Sequence, residues 1–480
     1  MLAGSLWAIS MRWGIKLLGF ISTAILARMV LPSDYAVVAM AFLVTGLIGS
    51  FFDFGVEVAL IRKAEVDDAF VDSAWSLRVV EGIGIALMLA LFAPLANAYF
   101  HDQRVVPVLW IFAVCTALTG SSNIGVMLAR KTLNFSLEFK IQIVAKLFQV
   151  FVTVGLAYVL HDYRALVAGI VASYCCSWAL SYLLHPYRPG WNTSAFREIW
   201  GVTRWLMLSN IARFMVRKAD EISAGRIGTS AEFGMYNVGA DLGQLPTGEI
   251  GPAILKAFFP VLSSIQHDPA RVRSGVLKVM AIVNAITLPA GIGLAAVAAP
   301  ATLLMLGPNW SGAIPFVAIF GLVGAAQVAS IPLSTLLTMR GFTKIQSTTV
   351  WIEFTVFILA SLVLVPLLRL QGLAIARLIG VLFSTMLISY QCSKYCDLPV
   401  RAVANTIWRP ISAAILMFFV THGTVEFFRH SLAGFTLAIA AGAVTYTVIM
   451  LITWYLAGKP KGLESEMFGY LENRRTKPLL

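Results

Sequence analysis

Apolar segments long enough to cross a lipid bilayer recur along almost the whole chain, separated by short polar connections. A membrane-spanning helix needs ~20 predominantly apolar residues. Of the 480 residues, 59% are hydrophobic and 12% are charged, whereas soluble domains carry ~25% charged residues. The sequence therefore predicts an all-α polytopic membrane protein with about fourteen spans, at approximately 6–29, 36–58, 76–99, 105–127, 141–160, 163–184, 203–226, 234–260, 276–300, 313–337, 347–368, 371–392, 405–425 and 432–456.

The connections between these spans alternate between strongly and weakly cationic. Lysine and arginine are enriched in cytoplasmic connections of membrane proteins. With a cytoplasmic N-terminus, every inside connection carries a pair of cations, and both termini are predicted to be cytoplasmic. We therefore attribute the net charge of +12 to the cationic inside connections and not to nucleic-acid binding. The inside pairs are Arg62 and Lys63, Arg130 and Lys131, Arg188 and Arg197, Arg271 and Arg273, Arg340 and Lys344, and Lys394 and Arg401.

An internal repeat predicts two lobes of six helices. The segment ARMVLPSDYAVVAMA after span one resembles GRIGTSAEFGMYNVGA after span seven, at a constant offset of 198 residues. A second pair, MLARKTLNF and LTMRGFTKI, follows spans four and ten. Six spans separate each pair, so the copies share one orientation, as in parallel transporter repeats. We expect an N-terminal lobe (1–188), a C-terminal lobe (189–400) and a third segment (401–480) with spans 13 and 14 and a cytoplasmic tail.

The segment HPYRPGWNTSAFREIWGVTRW connects the two predicted lobes. Its aromatic residues alternate with arginines, a pattern that is typical of a helix lying in the inner membrane interface. An ordinary basic loop with interfacial aromatic residues fits the pattern equally well.

Cations lie inside two of the spans, where a charge is costly unless it faces a protein interior or a watery cavity. Arg12 and Lys16 are four residues apart in span one, and Arg213 and Arg217 repeat the spacing in span seven, followed by Lys218. Residues four apart share one helix face. Because spans one and seven are equivalent in the repeat, these cations are expected to line a central cavity that binds an anion. Arg78 and Lys146 are further candidates, with snorkelling to lipid headgroups as the alternative.

Carboxylates also occur within the spans. They bind Na⁺ or protons in a cycling transporter, or they pair with the cations so that burial is tolerated. The sequence leaves both readings open. The ion-coupling candidates are Asp53, Glu57, Glu81, Asp220, Glu221, Asp241 and Glu249.

Catalytic motifs were not found along the sequence. It has no glycine-rich phosphate loop, no GxSxG elbow and no pair of histidines with metal-ligand spacing. Cys392 and Cys396 could share a helix face, but neither a histidine nor a third cysteine completes a metal site there. We therefore expect a transporter without catalytic residues or a bound metal.

Four segments of the chain carry a family resemblance: LWAISMRWGIKLLGFISTAILARMVLPSDYAVVAMAF, FFDFGVEVALIRK, IGTSAEFGMYNVGADLGQLP and LTMRGFTKIQ. They resemble Wzx-type polysaccharide flippases of the multidrug/oligosaccharidyl-lipid/polysaccharide (MOP) exporter superfamily, in the branch with colanic-acid and exopolysaccharide exporters. The resemblance covers essentially the whole chain. It implies a flippase of the bacterial inner membrane that moves undecaprenyl-diphosphate-linked oligosaccharides from the cytoplasmic to the periplasmic leaflet by alternating access.

The resemblance also implies a proton or sodium gradient as energy source in place of a cofactor, and possible contacts with a polysaccharide polymerase and other assembly proteins. A flippase of a lipid-linked peptidoglycan precursor and a multidrug exporter of the same superfamily are the alternatives. A membrane glycosyltransferase or polymerase is a further alternative, although such enzymes generally use a large extracytoplasmic loop that this sequence lacks.

Overall fold

The structure is a computed structural model that describes residues 2–63, 66–132, 134–248, 250, 251, 258, 262, 264, 268–428 and 431–458. For residues 2–13 and 200–209 it describes the backbone alone. Within this part of the chain the regular structure is α-helical, with one 3₁₀ helix at Pro308–Ala313. Glu249, the Arg12 side chain and the tail beyond residue 458 lie outside the described residues.

Contacts divide the chain into two compact units, Met1–Gly234 and Met235–Leu480. The first unit holds nine helices among its described residues, and a tenth, α10 (Ser230–Gly248), begins in it and continues into the second unit. The nine are α1 (Leu2–Leu26), α2 (Pro32–Phe52), α3 (Val56–Arg62), α4 (Asp68–Phe100), α5 (Val105–Gly120), α6 (Gly125–Lys131), α7 (Phe135–Leu160), α8 (Tyr163–Leu184) and α9 (Phe196–Ile227).

Further helices follow α10 in the second unit. Its elements among the described residues are α11 (Pro269–Ala296), α12 (Ala298–Met305), α13 (Ile314–Ala329), α14 (Ile331–Met339), α15 (Thr343–Tyr395), α16 (Val400–Phe427) and α17 (Leu432–Leu456). The contact boundary after residue 234 assigns α9, which is predicted span seven, to the first unit. Grouping by contact differs from grouping by duplication, so the lobe boundaries at 188 and 400 stay a prediction.

The all-helical membrane fold is confirmed, whereas the number of spans stays a prediction. Nine helices among the described residues are long and apolar enough to cross a membrane, or ten if α5 and α6, bent by 60°, form one span. One of the nine, α15, has 53 residues and contains predicted spans eleven and twelve. At ~1.5 Å per residue it is more than twice as long as a bilayer core is thick. Its break falls at Arg369, where φ is 50° and ψ is −127°.

The bend between α5 and α6 frees backbone groups that need partners at membrane depth, because lipid offers none. The Ser121 carbonyl accepts a hydrogen bond from Trp75 Nε1 at 3.3 Å and another from the Tyr182 hydroxyl at 2.6 Å. The Ser121 hydroxyl accepts from Trp178 Nε1 at 3.1 Å. Helices α4 and α8 thus hold the bend, which places the short helix α6 at the inner end of the unit in the predicted topology.

The segment between α8 and α9 is not a separate interfacial helix. Residues 185–195 are extended or in turns, and helix resumes at Phe196 as part of α9 itself. Pro186 and Pro189 explain the interruption, since proline lacks the helix N–H and restricts the residue before it. The segment lies along α4, where Asp72 accepts hydrogen bonds from the Tyr187 hydroxyl and the Gly190 N–H. The loop alternative is therefore the better description.

A buried apolar cluster joins the inner-end elements of the first unit. Its almost fully buried members include Leu60 of α3, Ala74 of α4, Ile124 directly before α6, and Ile199 of α9. Burying apolar side chains of this size contributes ~1.5–3 kcal/mol each in an aqueous reference. At membrane depth the gain comes from dispersion contacts instead. The cluster fixes the start of α9 against α3 and α4, and so positions the polar side chains described next.

Candidate functional site

A network of charged side chains occupies the inner-end region of the first unit, around the last turn of α6. Arg130 of α6 contacts Glu57 of α3 at 2.7 Å and Glu138 of α7 at 2.6 Å. Gln142, one turn further along α7, also donates to Glu138. The Glu138 side chain is only 9% exposed, so its charge depends on Arg130 for compensation. One guanidinium thus connects three helices.

Helix α4 contributes Arg78 and Glu81 to the same region. The charge of Arg78 interacts electrostatically with Glu81, Glu57 and Arg130. Glu81 also interacts electrostatically with Asp53. A guanidinium N–H of Arg78 also points at the Met127 sulfur, at 3.5 Å. The sequence-predicted residues Arg78, Glu81 and Glu57 are therefore brought together, although they lie on two different helices.

The third part of the network links the end of α2 to α9. Asp53 terminates α2 and accepts a hydrogen bond from the Gly55 N–H at 3.0 Å. The Asn210 amide of α9 donates to Asp53, and Arg213 donates to Asn210. Arg213 itself is exposed. A cation and a carboxylate on separate helices are thus joined through one neutral amide.

Other predicted site residues lie elsewhere in the first unit. Lys146 of α7 donates to Gln149 at 3.2 Å and approaches Gly19 of α1. Lys16 precedes Gly19 by about one turn and is exposed. On α9, Lys218 pairs with Glu221, Asp220 is buried and Arg217 is exposed.

In the second unit, Asp241 lies on α10, and Arg377 and Glu353 pair at 3.6 Å within α15. Glu57 and Glu221 thus form ion pairs, and both readings of the intramembrane carboxylates stay open. Binding and coupling roles for any of the predicted residues stay predictions, and so does the cavity between the lobes.

Three members of the network were missed by sequence reasoning. Arg130 was assigned to the positive-inside pattern, Glu138 lies near the start of α7, and Asn210 is an uncharged residue in an apolar segment. The available signal was weak: only Glu138 and Arg130 together, eight residues apart across a predicted connection, form an opposite-charge pair. The two residues meet across the short connection between α6 and α7.

An apolar cavity of about 550 Å³ lies in the first unit. Residues of α2 and α4 and Ile222 of α9 line it, and among them are Leu47, Phe52 and Phe92. Phe52 is the last residue of α2, and Asp53 follows it directly. The cavity lining therefore reaches the residue that precedes Asp53 of the charged network.

A second polar cluster lies at the opposite ends of the helices. Arg104 forms a two-point ion pair with Asp102, at 2.8 Å for the shorter contact, and reaches Asp34 at the start of α2, at 2.9 Å. The Ser230 hydroxyl donates to Asp102 at 2.7 Å. Burial alone would raise the pKa of Asp102. The hydrogen bonds from Arg104 and Ser230 outweigh it and hold this pKa below its ordinary value of 3.8.

Groups of three or more His, Cys, Asp or Glu that could hold a metal ion do not occur among the described residues. Cys392 and Cys396 are buried free thiols in the apolar cluster of the second unit.

Transmembrane-length helices with ion pairs and polar networks between them define the class: a polytopic helical membrane protein. The chain belongs to the family described as "Polysaccharide biosynthesis protein", which matches residues 25–315. This confirms the predicted family and supports a transporter in preference to an enzyme.

Relatives and a solved structure extend the match to most of the chain. The chain is 22% identical to the succinoglycan biosynthesis transport protein ExoT of Rhizobium meliloti, over 93% of this chain and 92% of ExoT. It is also 22% identical to the lipopolysaccharide biosynthesis protein WzxC of Escherichia coli, over 77% of this chain and 75% of WzxC. Among solved structures, the lipid II flippase MurJ in an inward closed conformation aligns with a TM-score of 0.74 and 13% identity, over 94% of this chain and 99% of MurJ. The MurJ match shows the fold.

Proposed function

We propose that this protein is a flippase that translocates undecaprenyl-diphosphate-linked oligosaccharides from the cytoplasmic to the periplasmic leaflet of a bacterial inner membrane, for polysaccharide biosynthesis. The family assignment and relatives named as polysaccharide biosynthesis and transport proteins support a lipid-linked saccharide as substrate. The identity of the prenyl carrier, the membrane and the cytoplasmic location of both termini are parts of the proposal.

One structural observation carries the proposal: an apolar cavity is lined by the last residue of α2, Phe52, and the charged network includes the next residue, Asp53. A prenyl diphosphate has an apolar tail joined to a strongly anionic group. The cavity next to Phe52 offers apolar contacts to the tail, while Arg213 and Arg78 offer guanidinium groups whose planar donors match phosphate oxygens.

The energy source belongs to the same proposal. An ion-coupled transporter needs a carboxylate that exchanges a cation as the protein alternates between inward- and outward-open states. Asp53 and Glu81 suit this role better than Glu57, because the latter already pairs with Arg130 at 2.7 Å. A proton or sodium gradient would thus act through carboxylates close to the arginines that bind the anionic substrate. Contacts with a polysaccharide polymerase would pass the flipped product on.

Translocation in cells lacking the native flippase tests this function. Cells that make lipid-linked repeat units but lack the transporter should accumulate them on the inner leaflet, and expression of this chain should restore periplasmic exposure. Arg213→Ala, alone and with Arg12→Ala, should reduce export roughly tenfold or more, the value of one or two charge-assisted hydrogen bonds. Arg164→Ala is the matched control, since Arg164 is exposed and pairs only weakly with Asp162 at 3.6 Å.

Two results would contradict the proposal. Normal export by the Arg12/Arg213 double variant would show that these two arginines do not bind the substrate during translocation. Rescue of a strain that lacks its peptidoglycan-precursor flippase, with no rescue of polysaccharide export, would assign the chain to the alternative substrate.

A further inference from the structure

The second unit has a polar cavity of its own, between the first turns of α11 and α16. Its volume is about 510 Å³. On α11, residues 270, 273, 274, 277, 278 and 281 follow helical spacing, so one face of the helix forms one wall. The opposite wall comes from Asn405, Thr406 and Arg409 of α16.

The chemistry of this cavity suits a phosphate group. Three of its side chains are cations, namely Arg273, Lys278 and Arg409, and carboxylates are absent from the described residues that line it. Asn405 and Thr406 add neutral hydrogen-bond donors. Guanidinium and ammonium groups with amide and hydroxyl donors form a donor set that is typical of phosphate recognition.

The nearby carboxylate of Asp268 is engaged outside the cavity. Asp268 caps α11 by accepting from the backbone N–H groups of Ala270 and Arg271, and it pairs with the Arg271 side chain at 3.3 Å. Arg271 is 77% exposed and does not line the cavity. Arg271 therefore pairs with Asp268 outside the cavity, whereas Arg273, two residues later, lines the cavity.

The depth of the site in the fold favours a membrane lipid as occupant. Both α11 and α16 are long enough to span, and the cavity lies within their first turns, where a headgroup would sit. Arg409 is only 8% exposed, whereas the adjacent Trp408 is 47% exposed. Tryptophan is enriched at the headgroup level of bilayers. Beyond it, α16 exposes apolar side chains to the acyl region: Ile411, Ile415, Leu416 and Phe419.

We propose that this cavity binds the phosphate headgroup of an anionic phospholipid, with the acyl chains along α16. This inference does not rest on the proposed flippase function. Its volume suits a headgroup such as phosphoglycerol. A basic pocket between spanning helices at the cytoplasmic end is a recognised arrangement for anionic lipids, and this is the end that the positive-inside pattern assigns to the cytoplasm.

Binding of defined lipids to the purified full-length protein tests the proposal. Phosphatidylglycerol and phosphatidylcholine are titrated in mixed micelles, with native mass spectrometry and thermal stability as readouts. We expect phosphatidylglycerol to bind preferentially and to raise the unfolding temperature. The Arg273→Gln/Lys278→Gln double variant should bind it roughly thirtyfold more weakly, from about one kcal/mol per removed cation.

Control variants separate this site from general charge effects. Arg271→Gln and Arg401→Gln remove exposed cations near the same helix ends and should bind as the unmodified protein does. Asn405→Leu should weaken binding without changing charge, which keeps the test valid if the double variant folds poorly. Equal binding of both lipids, unchanged binding by the double variant and by Asn405→Leu, or complete displacement by inorganic phosphate would each overturn the lipid assignment.

Discussion

Arg130 shows how one side chain can decide the local arrangement of three helices. It contacts Glu57 and Glu138 at hydrogen-bond distance, and the Glu138 side chain is 9% exposed. Removing one partner of a largely buried ion pair is costly because the remaining charge is left without compensation. Arg130 is therefore a structural residue in the first unit as well as part of the charged network.

Arg130→Gln should lower the free energy of unfolding by about 3 kcal/mol, the usual cost of breaking a buried pair. Glu138→Gln in the same chain should recover much of that loss, because the uncompensated carboxylate is then gone. Thermal unfolding in detergent of both single variants and the double variant measures the coupling. If the two single effects simply add, Arg130 does not stabilise Glu138.

Asp102 is the residue for which the structure makes a pH-dependent prediction. Its folded-state pKa lies below the ordinary value of 3.8, although burial acts in the opposite direction. A depressed pKa gives stability that is present above the unfolded value and is lost as the pH falls through the folded value.

Asp102→Asn should therefore lower the unfolding temperature between pH 5 and pH 7, and the difference from the unmodified protein should shrink below about pH 4. Unfolding temperatures across this range measure it. Gln103→Asn, at an exposed neighbouring position, is the control. A difference that grows on acidification would show that the pair with Arg104 is not what stabilises this loop.

Among the elements, α4 and α5 approach closely through two glycines. A Cβ added to Gly82 would lie 2.9 Å from the Gly120 Cα and 3.0 Å from the Thr116 carbonyl oxygen, both backbone atoms. Gly120 in turn abuts the Arg78 carbonyl oxygen. Small residues allow such contact between helices in membranes. Here the contact also sets the position of Arg78 in the charged network.

Gly82→Ala should destabilise the protein by about 1–3 kcal/mol, because the helices must separate. Gly49→Ala is the matched control: a Cβ there meets nothing within 4 Å, so the change should be neutral or slightly stabilising. Unfolding in detergent, together with the export assay, measures both. Equal effects of the two substitutions would contradict the close contact.

The length of apolar segments predicted the long helices better than the short ones. Apolar length alone marks an element such as α17, whose predicted range 432–456 matches Leu432–Leu456. The seven-residue helices α3 and α6 were merged into predicted spans two and four or left in connections. A helix of seven residues has no apolar length to detect, and its position depends on contacts such as those of Ser121.

At the scale of the whole molecule, orientation is the prediction most easily tested. The alternation of cationic connections places Gln103 outside and Thr132 inside. In a background with the native cysteines replaced, Gln103→Cys should react with a membrane-impermeant maleimide in intact spheroplasts, whereas Thr132→Cys should react only after permeabilisation. Labelling of both sites, or the reverse pattern, would contradict the predicted topology.

The sequence by itself determined the class of this protein. The length of the apolar segments predicts spanning helices because lipid satisfies no backbone hydrogen bonds. The four segments that resemble known flippases indicate the family. Both inferences rest on local information. Tertiary structure alone decided the pairing of Arg130 with Glu57 and Glu138, the link from Asp53 to Arg213 through Asn210, and the cationic cavity of α11 and α16. The sequence shows where a charge lies along the chain, whereas folding decides how deeply it is buried and which neighbours compensate it.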